Sequence, residues 1–479
     1  MDSILNESNI TFKDLEQKIF NYICRIGCEI TSRILEAYNE ELTKSRDKGK
    51  YRDKGLRTTS IKTVYGEVEY RRNVFKTTLD TGEKAYVYLL DEAMKMDKIG
   101  LLSTNFMEKL STTITEATYR DTAKIISKSC GQSISPQGVW NAMQRLGERI
   151  SEEEDHSVKE MEAEQAKGER EVPVLFEEMD GVWLNSQGEH HKKMKKQEMK
   201  VFTMYEGWDE EKEKQNRSTL VEKVMLAGME SSDEFHKKRE ATIQKKYNPD
   251  EIGQRILNGD GGSWIRETND PEAIFQLDRF HIYQEILRKI ADKEAQAEIR
   301  RLFDEEEIKK MFEYIETYAT SVESNEAKDK RSQKARELYK YLDNNRNGLL
   351  PYDKRGVEIP KPRDGVIYKG MGIQENQNCT LITQRMKHRR MRWSKNGANN
   401  LAKILCRKEN GELIETIDRF TDGLVFTLRM KEIVEILSAA KAPKRDGKGN
   451  PYIDIFGTHV PLKDAALTAS RKAFLKIFG

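Results

Sequence analysis

The sequence predicts an α/β protein, because strand-like segments follow one another and then alternate with helical ones. Apolar runs at 172–184, 199–207 and 219–228 are separated by turn residues, and a helical pattern at 232–247 leads into "QRILNGD" and "AIFQLD". Short apolar runs bounded by turn residues are typical of buried strands. With 479 residues, the chain is too long for one core, and we expect roughly three domains.

Charge and cysteine content narrow the class of protein. The chain has 83 Lys and Arg against 81 Asp and Glu, is 37% hydrophobic, and has five scattered cysteines with no Cys-x-x-Cys pair. This cysteine usage argues for a reducing, cytoplasmic setting and against a disulfide frame or a structural zinc site. We expect no membrane segment, because no stretch approaches the roughly 18 apolar residues that cross a bilayer. The acidic N-terminus lacks the basic region of a signal peptide.

The N-terminal region, 1–99, is predicted to be α+β. Residues 10–47 have apolar positions at helical spacing. "TVYGEVEYRR" is typical of a β-hairpin that turns at Tyr65 and Gly66, and "YVYLLD" at 86–91 is predicted to be a second extended piece.

Residues 100–150 are predicted to form a helix-turn-helix. A first helix from about Thr118 to Lys128 stops near Gly131, and Ser135 followed by Pro136 is a good start for a second helix. An ordinary helical hairpin packed in a bundle would show the same pattern. The second helix has one apolar face, formed by Val139, Trp140, Met143, Leu146 and Ile150. On its outer face, as base-reading side chains of a recognition helix, we expect Gln137, Asn141, Gln144 and Arg145.

Two basic runs are further candidates for DNA contacts. "HHKKMKK" at 190–196 includes Lys192 and Lys193 and is predicted to be a hairpin loop. "QRMKHRRMRWSK" at 384–395 holds six Lys and Arg residues and no acid. A charged run is also the ordinary composition of a solvated face, and composition alone leaves both interpretations open.

Two carboxylates lie on strands of the predicted sheet, where Asp180 ends or crosses the first strand and Asp260 ends the fourth. Asp180 lies in "EEMDGVWL" and Asp260 in "LNGDGGSW". Neighbouring parallel strands could bring them to one edge, where they would repel each other unless Mg²⁺ or Mn²⁺ neutralised them. With a third acid they could hold two ions and promote phosphodiester transfer. Gly261 and Gly262 are good turn residues, or they clear space for metal and phosphodiester; Trp264 is predicted to pack and fix the turn.

Four segments occur in order along the chain: "MDGVWL", "NGDGGSWI", "FQLDRFH" and "GIQENQNCTLITQRMKHRRMRWSKNGANNLAKIL". Together they resemble the DDE transposases of the bacterial Mutator-like group, and within it the insertion-sequence Lre-two family. The resemblance covers nearly the whole chain. "GDGGSWI" departs from the more usual Gly-Asp-Gly-Ala/Ser-Pro-Trp-Ile, a difference that leaves the acidic residue in place.

The resemblance implies an RNase H-like catalytic domain in two parts, 172–285 and 366–410, separated by an all-helical insertion at 286–365. A helical linker at 151–171 would precede this domain. A C-terminal tail, 411–479, would follow it.

The resemblance also implies residue roles. Asp180 and Asp260 match the first two acidic residues of the family, and Glu375 matches the third. Asp278 and His281 resemble the acidic/Cys-x-x-His motif near the site, although such a pair is also a common structural hydrogen bond. Glu375 would open a helix, where its charge could simply favour the N-terminus. Further along the same segment, the side chains expected to contact DNA phosphates are Arg385, Lys387, Arg389, Arg390 and Arg392.

The resemblance therefore implies a DNA transposase that binds the terminal repeats of its element. It would cut there with two Mg²⁺ or Mn²⁺ ions, and join the ends to target DNA. We expect a homo-oligomer in the synaptic complex and association with the nucleoid when DNA is bound. The alternatives are a catalytically silent DNA-binding regulator, which has no need of three acids, and a metal-dependent nuclease without strand transfer, which shares them.

Overall fold

The computed structural model describes residues 10–79, 81–95, 101–165, 168–187, 196–266, 273–323 and 330–421. These residues form two compact units. The described residues up to Ala142, with those from Ile417, make up the first, and Met143–Thr416 make up the second. Helices and sheets are mixed throughout, so the predicted α/β class is confirmed.

The first unit contains the hairpin predicted around Tyr65. Strands β1 (Arg52–Thr63) and β2 (Gly66–Thr78) pair antiparallel across a two-residue loop. Strand β3 (Lys84–Val87) pairs with β2, but a helix begins at Leu89, so the extended segment predicted at 86–91 is wrong after its first two residues. The helices up to residue 162 are α1 (Phe12–Ser45), α2 (Leu89–Ala93), α3 (Thr104–Glu116), α4 (Tyr119–Ser129) and α5 (Pro136–Glu162).

Helix α5 starts as predicted. The Ser135 hydroxyl accepts a hydrogen bond from the Gly138 N–H at 3.0 Å, which satisfies a donor at the helix start. The helix continues without interruption to Glu162. The predicted boundary between 100–150 and 151–171 therefore falls inside one helix.

A five-stranded sheet organises the second unit. Its strands are β4 (Arg170–Asn185), β5 (Lys196–Tyr205), β7 (Val224–Gly228), β8 (Tyr247–Gly259) and β9 (Ile274–Leu277), in the spatial order β7-β5-β4-β8-β9. The first three strands along the chain pair antiparallel, whereas β8 pairs parallel with β4 and with β9. The carboxyl ends of β4, β8 and β9 therefore point the same way.

Both faces of this sheet are covered. On one face, Leu175 and Met179 pack with Phe235 and Ile243 of helix α7 (Ser232–Lys246). On the other face, Phe176 packs in a separate cluster with residues that follow the helical block, including Met371. Because side chains alternate along a strand, Glu178 and Asp180 lie on the Phe176 face.

A helical block follows the sheet, as predicted. Its helices are α9 (Arg279–Lys289), α10 (Lys293–Asp304), α11 (Ile308–Ser321) and α12 (Arg331–Asn344), packed around an apolar core of their own. The boundary predicted at 286 falls inside α9.

Shorter elements complete the described chain. Strand β6 (Trp208–Asp209) pairs with β10 (Val366–Ile367). A π-helix at Cys379–Lys387 continues helix α13 (Gln374–Asn378) and is followed by the 3-10 turn His388–Arg390. Within the described part of the chain, no helix is long and apolar enough to cross a membrane. The other helices are α6 (Glu210–Lys214), α8 (Ser263–Arg266), α13 (Gln374–Asn378), α14 (Lys395–Glu409) and α15 (Leu413–Thr421).

Candidate functional site

Strand register brings Asp180 and Asp260 to the same level of the sheet. Met179 of β4 pairs with Gly259 of the parallel strand β8. The residue that follows each of them is an aspartate. Asp180 is buried and Asp260 is half-buried. The two acids therefore lie on neighbouring parallel strands, but Asp180 is inside β4, which continues to Asn185, and only Asp260 follows a strand end.

Glu375 lies in the first turn of α13, as the sequence predicts, and acts on Asp180 through space. Burial raises the pKa of Asp180 to about 6, and the charges of Asp260 and Glu375 act in the same direction. His281 and the Gly181 N–H act against this rise. Three acids thus form one electrostatic group, and Asp180 ionises less readily than an exposed aspartate.

His281 supplies a positive charge at this group. Its Nδ1 lies 2.8 Å from Asp278 Oδ2, and its Nε2 lies 3.8 Å from Asp180 Oδ1. Although burial opposes it, the hydrogen bond to Asp278 and the charges of Asp180, Asp278 and Asp260 raise the pKa of His281 to about 9. The pair predicted near the site is therefore there, and its histidine is a cation at neutral pH.

Glu178, which the sequence analysis missed, lies two residues before Asp180 on the same face of β4. It is fully buried, and burial raises the pKa of its carboxyl group. Its Oε1 accepts hydrogen bonds from the Tyr205 hydroxyl (2.7 Å) and from the N–H groups of Gly372 (3.0 Å) and Ile373 (3.2 Å). Its Oε2 accepts from Asn258 Nδ2 (3.0 Å) and from the Gln374 N–H (3.2 Å). A clue was available, because residues two apart on a strand share a face.

Asn378 holds the side chain of Asp180. Its Nδ2 donates to Asp180 Oδ2 at 2.6 Å, and its Oδ1 accepts from Gln374 Nε2 at 2.9 Å. Gln374 and Asn378 are one helical turn apart on α13, the helix that carries Glu375. This helix therefore contacts β4 through an amide as well as bringing in a third acid.

The glycines after Asp260 form a close turn, as the turn interpretation predicts. Gly261 has a φ of +81°, and a Cβ there would lie 2.6 Å from Asn345 Oδ1. The Gly262 N–H donates to Asp260 Oδ1 at 2.8 Å, and a Cβ there would lie 3.0 Å from that oxygen. The Tyr341 hydroxyl also donates to the Asp260 carbonyl at 2.9 Å. The end of α12 thus packs closely against this turn.

Trp264 packs as predicted, with Phe235 at a ring-centroid distance of 6.1 Å. It also contacts a carboxylate that the sequence analysis missed. Burial raises the pKa of Glu198, the Asp260 charge adds to the rise, and Lys200 and a hydrogen bond from Trp264 oppose it. Glu198 Oε1 lies so close to Gly181 that a Cβ there would meet it at 2.0 Å.

The donor set fits a divalent cation in its chemistry. Carboxylate oxygens are the ligands that Mg²⁺ prefers, and the charges of Asp260 and Glu375 add to the burial that raises the pKa of Asp180. Within the described ranges, however, no three His, Cys, Asp or Glu side chains converge as a ready-made metal cluster.

The outer face of α5 agrees only partly with the prediction. Gln137, Asn141 and Arg145 are exposed. Gln144 is buried, and its Oε1 accepts from Asn400 Nδ2 at 2.9 Å, so its predicted outward position is wrong. Trp140, assigned to the apolar face, is 37% exposed. Gly147 on the same helix indicates this close packing, because a Cβ there would lie 2.3 Å from the Asn400 Cβ.

The second basic run is divided in the same way. Lys387, Arg390 and Arg392 are exposed, and Arg390 has an unusual φ of +53°. Arg385 is buried beside Trp393, with its Cζ 5.7 Å from the ring centroid, so its predicted exposure to phosphates is wrong. Outside the described residues and side chains lie Lys192, Lys193 and the side chain of Arg389.

Comparisons with known proteins agree on one family. The chain is 24% identical over 408 residues to a UPF0236 protein in the vanSb 3′ region of Streptococcus gallolyticus, covering 83% of both chains. It is 22% identical over 475 residues to a UPF0236 protein of Caldanaerobacter subterraneus subsp. tengcongensis, covering 96% of this chain and 92% of the relative. The name of that relative joins eleven locus designations. The model described as "Uncharacterised protein family (UPF0236)" matches residues 5–419, and the chain belongs to this family.

Proposed function

We propose that this protein is a DNA transposase that cleaves and joins phosphodiester bonds with divalent metal ions. One observation carries the proposal: Asp180 inside β4 and Asp260 at the end of β8 lie at the same level of two adjacent parallel strands, and the charge of Glu375 adds to the rise in the pKa of Asp180. Three antiparallel strands followed by two parallel ones support the RNase H-like fold that the resemblance implies. The helical block between Asp260 and Glu375 corresponds to the implied insertion.

Asp180, Asp260 and Glu375 are the residues that would hold Mg²⁺ or Mn²⁺. Ions bound there would activate a water or a 3′-hydroxyl and stabilise the leaving oxygen. Asn378 fixes the orientation of Asp180 through its 2.6 Å hydrogen bond. His281 carries a positive charge next to Asp180 and offsets part of the repulsion among the acids.

The relatives add support of a different kind. One protein name that joins eleven locus designations of a single organism is what repeated copying of a DNA element would produce. A second protein of that organism, similar to this chain over 490 residues, has a name that joins four. We propose DNA as the partner on this basis, with α4 and α5 as the helix-turn-helix that binds the element ends. Pairing of two ends implies a homo-oligomer.

The test is cleavage by the purified full-length protein of a duplex that carries its element end, with Mg²⁺ or Mn²⁺. Asp260→Asn and Glu375→Gln should each abolish cleavage and leave end binding largely intact, because a lost metal ligand removes the chemistry and not the DNA contacts. Nicked and joined products are resolved on a denaturing gel.

Glu294→Gln is the matched control for Glu375→Gln. Glu294 is also an acid in the first turn of a helix, α10, and removing its charge there should change stability by roughly 0.3–1 kcal/mol. Its cleavage should be normal. Normal cleavage by Glu375→Gln would reduce Glu375 to the same helix-end role. Cleavage without joined products would assign a nuclease, and binding without cleavage by the wild type would assign a regulator.

A further inference from the structure

The chain returns to the sheet after the helical block at one buried carboxylate. The N–H groups of Gly372, Ile373 and Gln374 all point to Glu178, and Glu375 is the next residue. Gly372 has a φ of +121°, a left-handed conformation that L side chains avoid. This turn lets three successive N–H groups converge on one carboxyl group. A buried polar group needs such hydrogen-bond partners, so the segment is fixed immediately before Glu375.

The same carboxylate contacts both parallel strands. Glu178 lies two residues before Asp180 on β4, and Asn258 lies two residues before Asp260 on β8. These two residues are register partners, and Asn258 Nδ2 donates to Glu178 at 3.0 Å. Glu178 is thus connected to all three acids. Asp180 is two residues away on the same strand, Asn258 on the strand before Asp260 donates to Glu178, and so does the N–H group of Gln374, which precedes Glu375.

We propose that Glu178 is a positioning residue that sets the spacing of Asp180, Asp260 and Glu375. This inference rests on the proposed function, since it concerns the same site. The separation along the chain between Glu178 and Gln374 is 196 residues, so local sequence cannot supply this spacing. Hydrogen bonds to Glu178 from Tyr205, Asn258 and the segment 372–374 hold these parts of the chain together instead.

The first test compares Glu178→Gln with Glu240→Gln in the full-length protein. Glutamine keeps the volume of the side chain, but its amide can accept hydrogen bonds only through its single oxygen, so one of the two groups of N–H donors faces an NH2 donor instead. Glu240 is a matched control. It lies on α7, on the opposite face of the sheet, and forms a 2.8 Å ion pair with Arg255. The readouts are hydrogen exchange of the 372–378 amides and the affinity for Mn²⁺ alone, measured by calorimetry.

Glu178→Gln should speed exchange at 372–374 by about tenfold or more and weaken Mn²⁺ binding by roughly 10–100-fold, as for residues that orient metal ligands. Glu240→Gln should change neither quantity. Unchanged exchange at 372–374 in Glu178→Gln would overturn the positioning role. If wild type and Asp260→Asn bind Mn²⁺ equally, the proposed metal site fails, and exchange still decides whether Glu178 holds the segment.

A second variant covers the case in which Glu178→Gln does not fold. Gly372→Ala leaves the carboxylate intact but disfavours the φ of +121° that aims the N–H groups. It should speed exchange at Ile373 and Gln374 and weaken Mn²⁺ binding. Gly370→Ala is its control, since a Cβ there meets nothing within 4 Å. Equal behaviour of the two alanine variants would contradict the proposal.

Discussion

At the residue scale, the turn after Asp260 shows how tightly the site is built. Gly261 has a φ of +81°, and the side-chain oxygen of Asn345 lies 2.6 Å from the position that a Cβ would take. Tyr341, one turn earlier on α12, donates to the carbonyl of Asp260. The direction of the Asp260 carboxylate therefore depends on the helical block as well as on its own strand.

Gly261→Ala should destabilise the protein by more than the roughly 1–2 kcal/mol that a left-handed backbone costs an L residue. Gly365→Ala is the matched control, since Gly365 has a φ of +78° and a Cβ there meets nothing within 4 Å. It should lose only the backbone contribution. Urea unfolding of the two variants measures the difference. Equal losses in the free energy of unfolding would mean that Asn345 moves aside without destabilising the protein.

At the element scale, a buried ion network fastens α14. Lys403 is fully buried, and its Nζ lies 2.7 Å from Glu154 of α5 and 2.9 Å from Glu230. Lys238 of α7 contacts Glu230 at 3.0 Å. Because removing one partner leaves an uncompensated buried charge, this network ties three helices to the sheet only while its acids are ionised.

Stability should therefore fall in acid over a defined range. Burial opposes ionisation of Glu230, but Lys403 and Lys238 lower its pKa from the ordinary 4.5 to about 2. Because the pKa of Glu230 is lower in the folded state, its ionisation contributes on the order of 3 kcal/mol to the free energy of unfolding. This contribution is fully present above about pH 4.5 and is lost as the pH falls towards 2. Urea unfolding from pH 6 to pH 2 checks this. Glu230→Gln should show a shallower loss across that range, and an identical slope would refute the assignment.

At the scale of the whole molecule, two exposed surfaces divide the proposed DNA contacts. One is the outer face of α5, with Gln137, Asn141 and Arg145. The other is the basic segment that contains Lys387, Arg390 and Arg392. Side chains that read base edges give specificity, whereas Lys and Arg on phosphates give affinity that depends on salt.

Substitutions on the two surfaces should have different effects. Asn141→Ala should reduce discrimination between element ends and random DNA by roughly 1–3 kcal/mol. Lys387→Gln should weaken binding to every duplex and lower the slope of log affinity against log salt by about one. Fluorescence anisotropy on both duplexes at several salt concentrations separates these effects. If Asn141→Ala weakens both duplexes equally, α5 does not read sequence, and the hairpin of β1 and β2 becomes the next candidate.

The sequence by itself determined the kind and order of most elements. The hairpin at Tyr65, the start of α5 at Ser135 and the end of β8 before Asp260 all follow from local turn chemistry and periodicity. Only the tertiary structure decided which polar residues are covered. Gln144 is buried by Asn400, 256 residues away, Glu178 accepts from a segment 196 residues away, and Asn345 fills the space beside Gly261. Periodicity identifies the outward face of an element, but a partner distant in the chain determines whether that face meets water or protein.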